Sequence, residues 1–139
     1  MRDSDIFDRD WADLIERMIV IIAYRNMLTF SNDRAIIVIV AYWPKPGKES
    51  KTLDLVRSRV PTLHKEGLVT DRAPIIMRAQ DGTIIEVSEW SSQEAIDAAH
   101  KNPNVLVMWN RFFEVCDCIQ LNTLSESAEM FAGFEPVPD

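Results

Sequence analysis

Thr83–Cys116, TIIEVSEWSSQEAIDAAHKNPNVLVMWNRFFEVC, is the stretch that decides the fold. It leaves Asp81-Gly82, the dipeptide favoured in a two-residue hairpin turn, and opens with the β-branched Ile84, Ile85 and Val87, as a strand prefers. The strand ends at Trp90, and Ser91 and Ser92 offer hydroxyls to cap a helix that begins near Gln93. The helix breaks at Asn102-Pro103, where Asn102 caps and Pro103 takes the first position of a second helix. Val105, Trp109, Phe112 and Cys116 then recur at helical spacing and form one apolar stripe. A hairpin strand feeding a long, bent helix is half of a βαββαβ arrangement.

Upstream, RAPIIMRAQ (Arg72–Gln80) reads as the hairpin's first strand. Pro74 removes a ladder donor from it, which confines that strand to a sheet edge. A helix is expected from about Glu49 to Glu66, with Leu53, Val56, Val60 and Leu63 as its seam. Pro61 should kink or divide it, and Gly67 supplies a left-handed stop. AIIVIVAYW (Ala35–Trp43) is a strand without alternation, so both of its faces should be buried. Downstream, Cys118–Leu124 reads as a fourth strand, and Ser125 caps a last short helix to about Phe131. Residues 1–34 form an extension before the domain at 35–139. Phe7, Trp11, Leu14, Met18 and Ile22 follow 3-4 spacing and predict an amphipathic helix from about Asp5 to Tyr24. Two other readings stay open: Met18–Ile22 as a strand, or a natural start at Met18 or Met27.

The order strand, helix, strand, strand, helix, strand is the ferredoxin-like plan, an α+β fold with a four-stranded antiparallel sheet and helices on one face. Right-handed crossovers put strands 1 and 3 in the middle. The other sheet face would then be bare, yet strand 1 is apolar on both sides. A monomer would expose more apolar surface than soluble chains tolerate, so a homodimer through the sheet face is expected.

The net charge of −7 and the scattered basic residues, with Lys45, Lys48 and Lys51 the nearest to a cluster, argue against a nucleic-acid partner. No apolar run reaches the roughly 20 residues of a spanning helix, and acidic residues crowd the N-terminus where a signal peptide is positive. Cys116 and Cys118, two apart, are badly placed to bridge. A reducing cytoplasm and no membrane association are therefore expected. The two histidines lie on separate elements without metal-ligand spacing, and no dinucleotide fingerprint, phosphate-binding loop or nucleophile elbow occurs. Neither a metal nor another cofactor is expected.

AIIVIVAYWPKPGKE, followed by a helix, DGTIIEVSEWSSQEAIDAAHKNPNV and a closing strand, resembles the dimeric α/β-barrel proteins of the antibiotic-biosynthesis-monooxygenase type. The likeness covers about Ala35 to Leu124 and rests on Pro46-Gly47-Lys48-Glu49, Glu89-Trp90-Ser91-Ser92 and Ala99-His100. It implies the fold, a dimer and a ligand cavity between sheet and helices. The type includes cofactor-free oxygenases of aromatics and haem degraders. Aligned on Trp90, the haem degraders' helix tryptophan falls at Ala99 and their iron-ligand histidine at Trp109, so haem ligation is not carried over.

The candidate site residues follow from chemistry. His100 titrates near neutral pH and is a candidate general base at the cavity mouth. Glu86, sharing a strand face with Ser88 and Trp90, is the other, provided burial raises its pKa. An ion pair with Arg78 is its structural alternative. Trp90 and Trp109 are suited to hold a planar ring, and Asn110 to bond its oxygen substituent. Two functions stay open: a cofactor-independent monooxygenase acting on an aromatic or quinol-like molecule, or a non-catalytic dimeric small-molecule-binding or stress-associated protein on the same scaffold.

Overall fold

The computed structural model describes residues 12–21 and 34–139. Residues 12–21 are helical (α1). Then follow β1 (Ile36–Pro44), α2 (Glu49–Lys65), β2 (Ile75–Arg78), β3 (Ile84–Trp90), α3 (Gln93–Ala99), α4 (Pro103–Val115), β4 (Cys116–Ile119) and a two-residue β5 (Glu135–Pro136). The sheet order is β4-β1-β3-β2-β5, antiparallel throughout, with β1 and β3 central as the crossover rule requires. The outer ends of the predicted N-terminal helix, residues 5–11 and 22–24, lie outside the described residues.

Five strands form where four were expected. β5 pairs with Met77 and Arg78, so β2 is not the outermost strand. β2 itself is shorter than expected, because it starts only after Pro74, whose ring nitrogen cannot join a ladder. The hairpin loop has three residues, not two: Gly82 N–H bonds Ala79 O at 3.0 Å and Ala79 N–H bonds Thr83 O at 2.8 Å. Gly82, at φ 93°, takes the left-handed position that such a loop needs.

The helix boundaries follow the capping chemistry. Ser92 Oγ accepts from Ala95 N–H at 3.0 Å, and Asn102 Oδ1 accepts from Asn104 N–H at 2.9 Å and Val105 N–H at 3.2 Å. Pro61 does not divide α2, which runs unbroken through it. Pro61 and Arg57, whose carbonyl loses its donor, both sit on the solvent side of the helix. After α4, Cys116 turns straight into extended backbone (φ −153°, ψ 166°). β4 therefore occupies Cys116–Ile119 rather than 118–124, and two 3-10 turns, Leu121–Thr123 and Ser125–Ala128, replace the rest of that strand and the last helix.

Register sorts the side chains. On the helix side, Ile36 faces Trp90, Val38 faces Ser88, Val40 faces Glu86 and Tyr42 faces Ile84. The main core forms there, from Val40, Tyr42, Ile84 and Trp90 with Val56, Leu63, Ile96, Val105, Met108 and Phe112 of the helices. The opposite face is not wholly bare. Leu121, Leu124 and Phe134 fold back over Ala41, Ala79 and Ile85 and make a second, smaller cluster. Beyond that cover, Ile37, Ile39 and Ile75 remain 56%, 45% and 59% exposed. Strand 1 is thus buried on its helix-side face at Val40 and Tyr42 and half-buried there at Ile36 and Val38, while its other face is buried only near Ala41.

Candidate functional site

A cavity of about 80 Å³ lies between the helix-side face of the sheet and the helices. Alternation on β1 sends Val38, Val40 and Tyr42 into it, and Trp90 enters from the end of β3. α2 contributes Arg59, α3 Ile96, and the residue that caps α3, His100. Trp109 and Phe112, three apart on α4, line another side, and Cys118 of β4 closes an edge. Ile15, Met18 and Ile19, which share one face of α1, lie across the remaining side.

The polar groups of the site converge on one buried network. Arg59 Nη1 donates to Glu86 Oε1 at 2.8 Å and to Ser88 Oγ at 3.2 Å. Tyr42 Oη lies 3.4 Å from the same Glu86 oxygen. The Arg59 guanidinium also sits 5.6 Å from the Trp90 ring centre, a cation–π distance. Burial pushes the Glu86 carboxyl up, against the pull of Arg59. Burial likewise raises the Tyr42 phenol well above its usual value, so it stays a hydrogen-bond donor. Burial works against the Arg59 charge, but Tyr42 and Glu86 outweigh it and hold its pKa above the ordinary value. Arg59 is thus charged and already neutralised.

His100 is half-buried, its ring 4.8 Å from the Trp109 ring at an angle of 59°. Burial lowers its pKa, while Asp97 and Glu16 act in the opposite sense. The imidazole is therefore the neutral form at pH 7 and can accept a proton.

Of the five residues singled out from the sequence, Trp90, Trp109 and His100 come together around the cavity. Glu86 lies behind the wall, reaching the cavity only through Arg59 and Tyr42. Its partner is not Arg78: the register sets Arg78 opposite Ile84 and Glu86 opposite Ile76. Asn110 is exposed, since one helical step past Trp109 turns it away from the sheet. Arg59 and Tyr42 were missed. Arg59 nevertheless falls on the seam of α2, three past Val56 and four before Leu63, a position where a charge needs a partner.

Among the described residues no group of three or more His, Cys, Asp or Glu side chains is placed to hold a metal, and no helix is long and apolar enough to cross a membrane. Comparison with curated proteins finds no match. A family model described as antibiotic biosynthesis monooxygenase matches residues 35–109, from the start of β1 to Trp109. That match spans more than half of the chain and carries Tyr42, Arg59, Glu86, Trp90, His100 and Trp109, so the chain belongs to the antibiotic biosynthesis monooxygenase family.

Proposed function

We propose that this protein binds an aromatic or quinol-like small molecule in the cavity and oxidises it with O₂ without a cofactor. The observation that carries the reading is the His100 imidazole held against Trp109 at the edge of an apolar cavity, where burial lowers its pKa. His100 takes a proton from the activated hydroxyl or C–H group of the substrate, leaving an electron-rich anion. The anion adds O₂ at carbon to give a peroxide anion, which takes back the proton held by His100 and becomes a hydroperoxide. His100 then removes the second hydrogen from that carbon as the O–O bond breaks and passes it to the departing hydroxide, so one oxygen stays in the product as a carbonyl and the other leaves as water. Trp90 and Trp109 hold the ring, and exclusion of water favours the anion's encounter with O₂. Glu86 is a positioning residue, holding Arg59 and Tyr42 in place. Asn110, on the solvent side of α4, has no part in this reading.

The working unit is a homodimer through the open part of the sheet face, where Ile37, Ile39 and Ile75 await cover. A reducing, cytoplasmic setting suits its two cysteines, which are not joined in a disulfide. A second reading, a dimeric protein that binds the same class of molecule without turning it over, draws on Glu86 being committed to Arg59, which leaves a single base.

Oxygen uptake and product mass with a panel of hydroquinones and other single-ring phenolic compounds test the proposal. Turnover by the intact protein that falls at least about a hundredfold in His100→Ala, the scale of a lost general base, is the expected result. Binding of the panel without oxygen uptake selects the second reading. Neither binding nor uptake disposes of both.

A further inference from the structure

The wall formed by α1 lies outside the family-matched segment: Ile15, Met18 and Ile19 precede residue 35, yet all three line the cavity. They sit at i, i+3 and i+4, so a single helix face is turned to the site. Ile15 and Ile19 also pack against the main core, and Glu16 is close enough to act on the His100 imidazole. Several observations therefore place α1 over the same end of the cavity.

The cavity under that helix is small. About 80 Å³ is roughly half of the ~150 Å³ that holds one benzene in a protein core, and far below the ~300–1,000 Å³ of ordinary ligand pockets. Admitting even one ring requires a side chain to give way. Met18 is the lining residue best able to do so, because its unbranched thioether chain turns about three bonds. The branched Ile15 and Ile19 are stiffer. A second fused ring would have to displace the helix itself. Charge restricts the ligand as well. Arg59 is already matched by Glu86, so an anion would compete with a buried partner at 2.8 Å and a cation would meet the guanidinium.

We propose that α1 is the specificity wall of the site, with Ile15 and Met18 restricting it to uncharged single-ring aromatic compounds. The inference rests on the cavity being an aromatic-binding site. Its test uses the full-length chain and two probes, phenol and 2-naphthol, titrated by calorimetry. The unaltered protein should prefer phenol by at least about tenfold, the discrimination that a few carbons of pocket space command. In Ile15→Ala/Met18→Ala the preference should shift toward 2-naphthol by about tenfold or more. Ile15→Phe, which fills the cavity, should weaken phenol by a similar factor, and it decides the matter should the double variant lose its helix by circular dichroism. An unchanged ratio in the folded double variant, unchanged phenol affinity in Ile15→Phe, or equal binding of both probes by the unaltered protein overturns the wall while leaving the cavity reading intact. If neither probe binds any form, the aromatic-site reading fails and the wall with it.

Discussion

Replacing Arg59 with methionine leaves the Glu86 carboxylate in the core without its counter-charge, and should cost about 3–5 kcal/mol in denaturant unfolding. The double replacement Arg59→Met/Glu86→Leu should recover most of that loss, because it removes both desolvated charges. A single-variant cost within 1 kcal/mol of zero, a rough bound for exposed pairs, would mean the pair is effectively solvated. His100 gives a separate signature. Its folded pKa lies below the unfolded value of about 6.5, so the unfolded chain takes up the proton first as pH falls. Its contribution to stability is whole above that pH and is lost as pH drops through the folded value. Unfolding free energies between pH 7 and 5 should therefore fall more steeply for the unaltered protein than for His100→Asn. Parallel slopes would remove His100 from the buried wall. At this scale the sequence was half legible. Trp90, Trp109 and His100 were readable because alternation and helical spacing place them. The Arg59 partnership was not, since it joins a helix to a strand across 27 positions and only the packed layers bring the two together.

At the scale of elements, capping chemistry made α3 and α4 readable almost to the residue: Ser92, Asn102 and Pro103 act locally, and local rules suffice for them. β2 and β4 were misjudged at their ends because strand length is set by what lies alongside. Pro74 delays β2, and α4 delivers the chain directly into β4. α1 was recognisable from its spacing, but nothing local said what its apolar face would meet. Its described side chains are all half-buried or exposed, and Ile15 and Ile19 are its contacts with the core. Deleting residues 1–26 should leave the far-ultraviolet signature of the domain in place and lower its stability by about 2–4 kcal/mol, as expected for two half-buried isoleucines with the accompanying apolar surface. Dye binding to exposed apolar surface should rise. A truncated chain with no cooperative melting transition would contradict this division between extension and domain.

The molecule as a whole follows the βαββαβ order read from its strands, with β1 and β3 in the middle. What the order alone could not convey is the C-terminal segment, which folds over Ala41, Ala79 and Ile85 and shrinks the open patch to the Ile37, Ile39 and Ile75 end of the sheet. A stable homodimer buries about 800 Å² per partner, and that end is where the exposed apolar side chains of this face lie. Ile39→Lys should therefore convert a dimer into a monomer at micromolar concentration in sedimentation velocity, with secondary structure unchanged. A monomeric unaltered protein, or a dimer indifferent to the lysine, would place the interface elsewhere.

β4 pairs only with Ala41–Pro44, so among the described residues the first half of β1 has no strand beside it on that side. The uncovered backbone runs from Ile36 to Val40, IIVIV, a stretch without a charge or a proline. Such a segment is a template for cross-β growth once its edge is free. α1 runs close to this place, with Leu14, Arg17, Met18 and Ile21 lining a cleft beside Ile39, Val40 and Ala41. The helix that lines the cavity should therefore also hinder fibre formation, with Met18 common to both places. A chain cut after residue 26 should keep its fold and yet, on prolonged shaking, seed thioflavin-positive fibrils long before the intact protein does. Any evolutionary pressure to open the site by shedding this helix would meet a cost in aggregation rather than in chemistry.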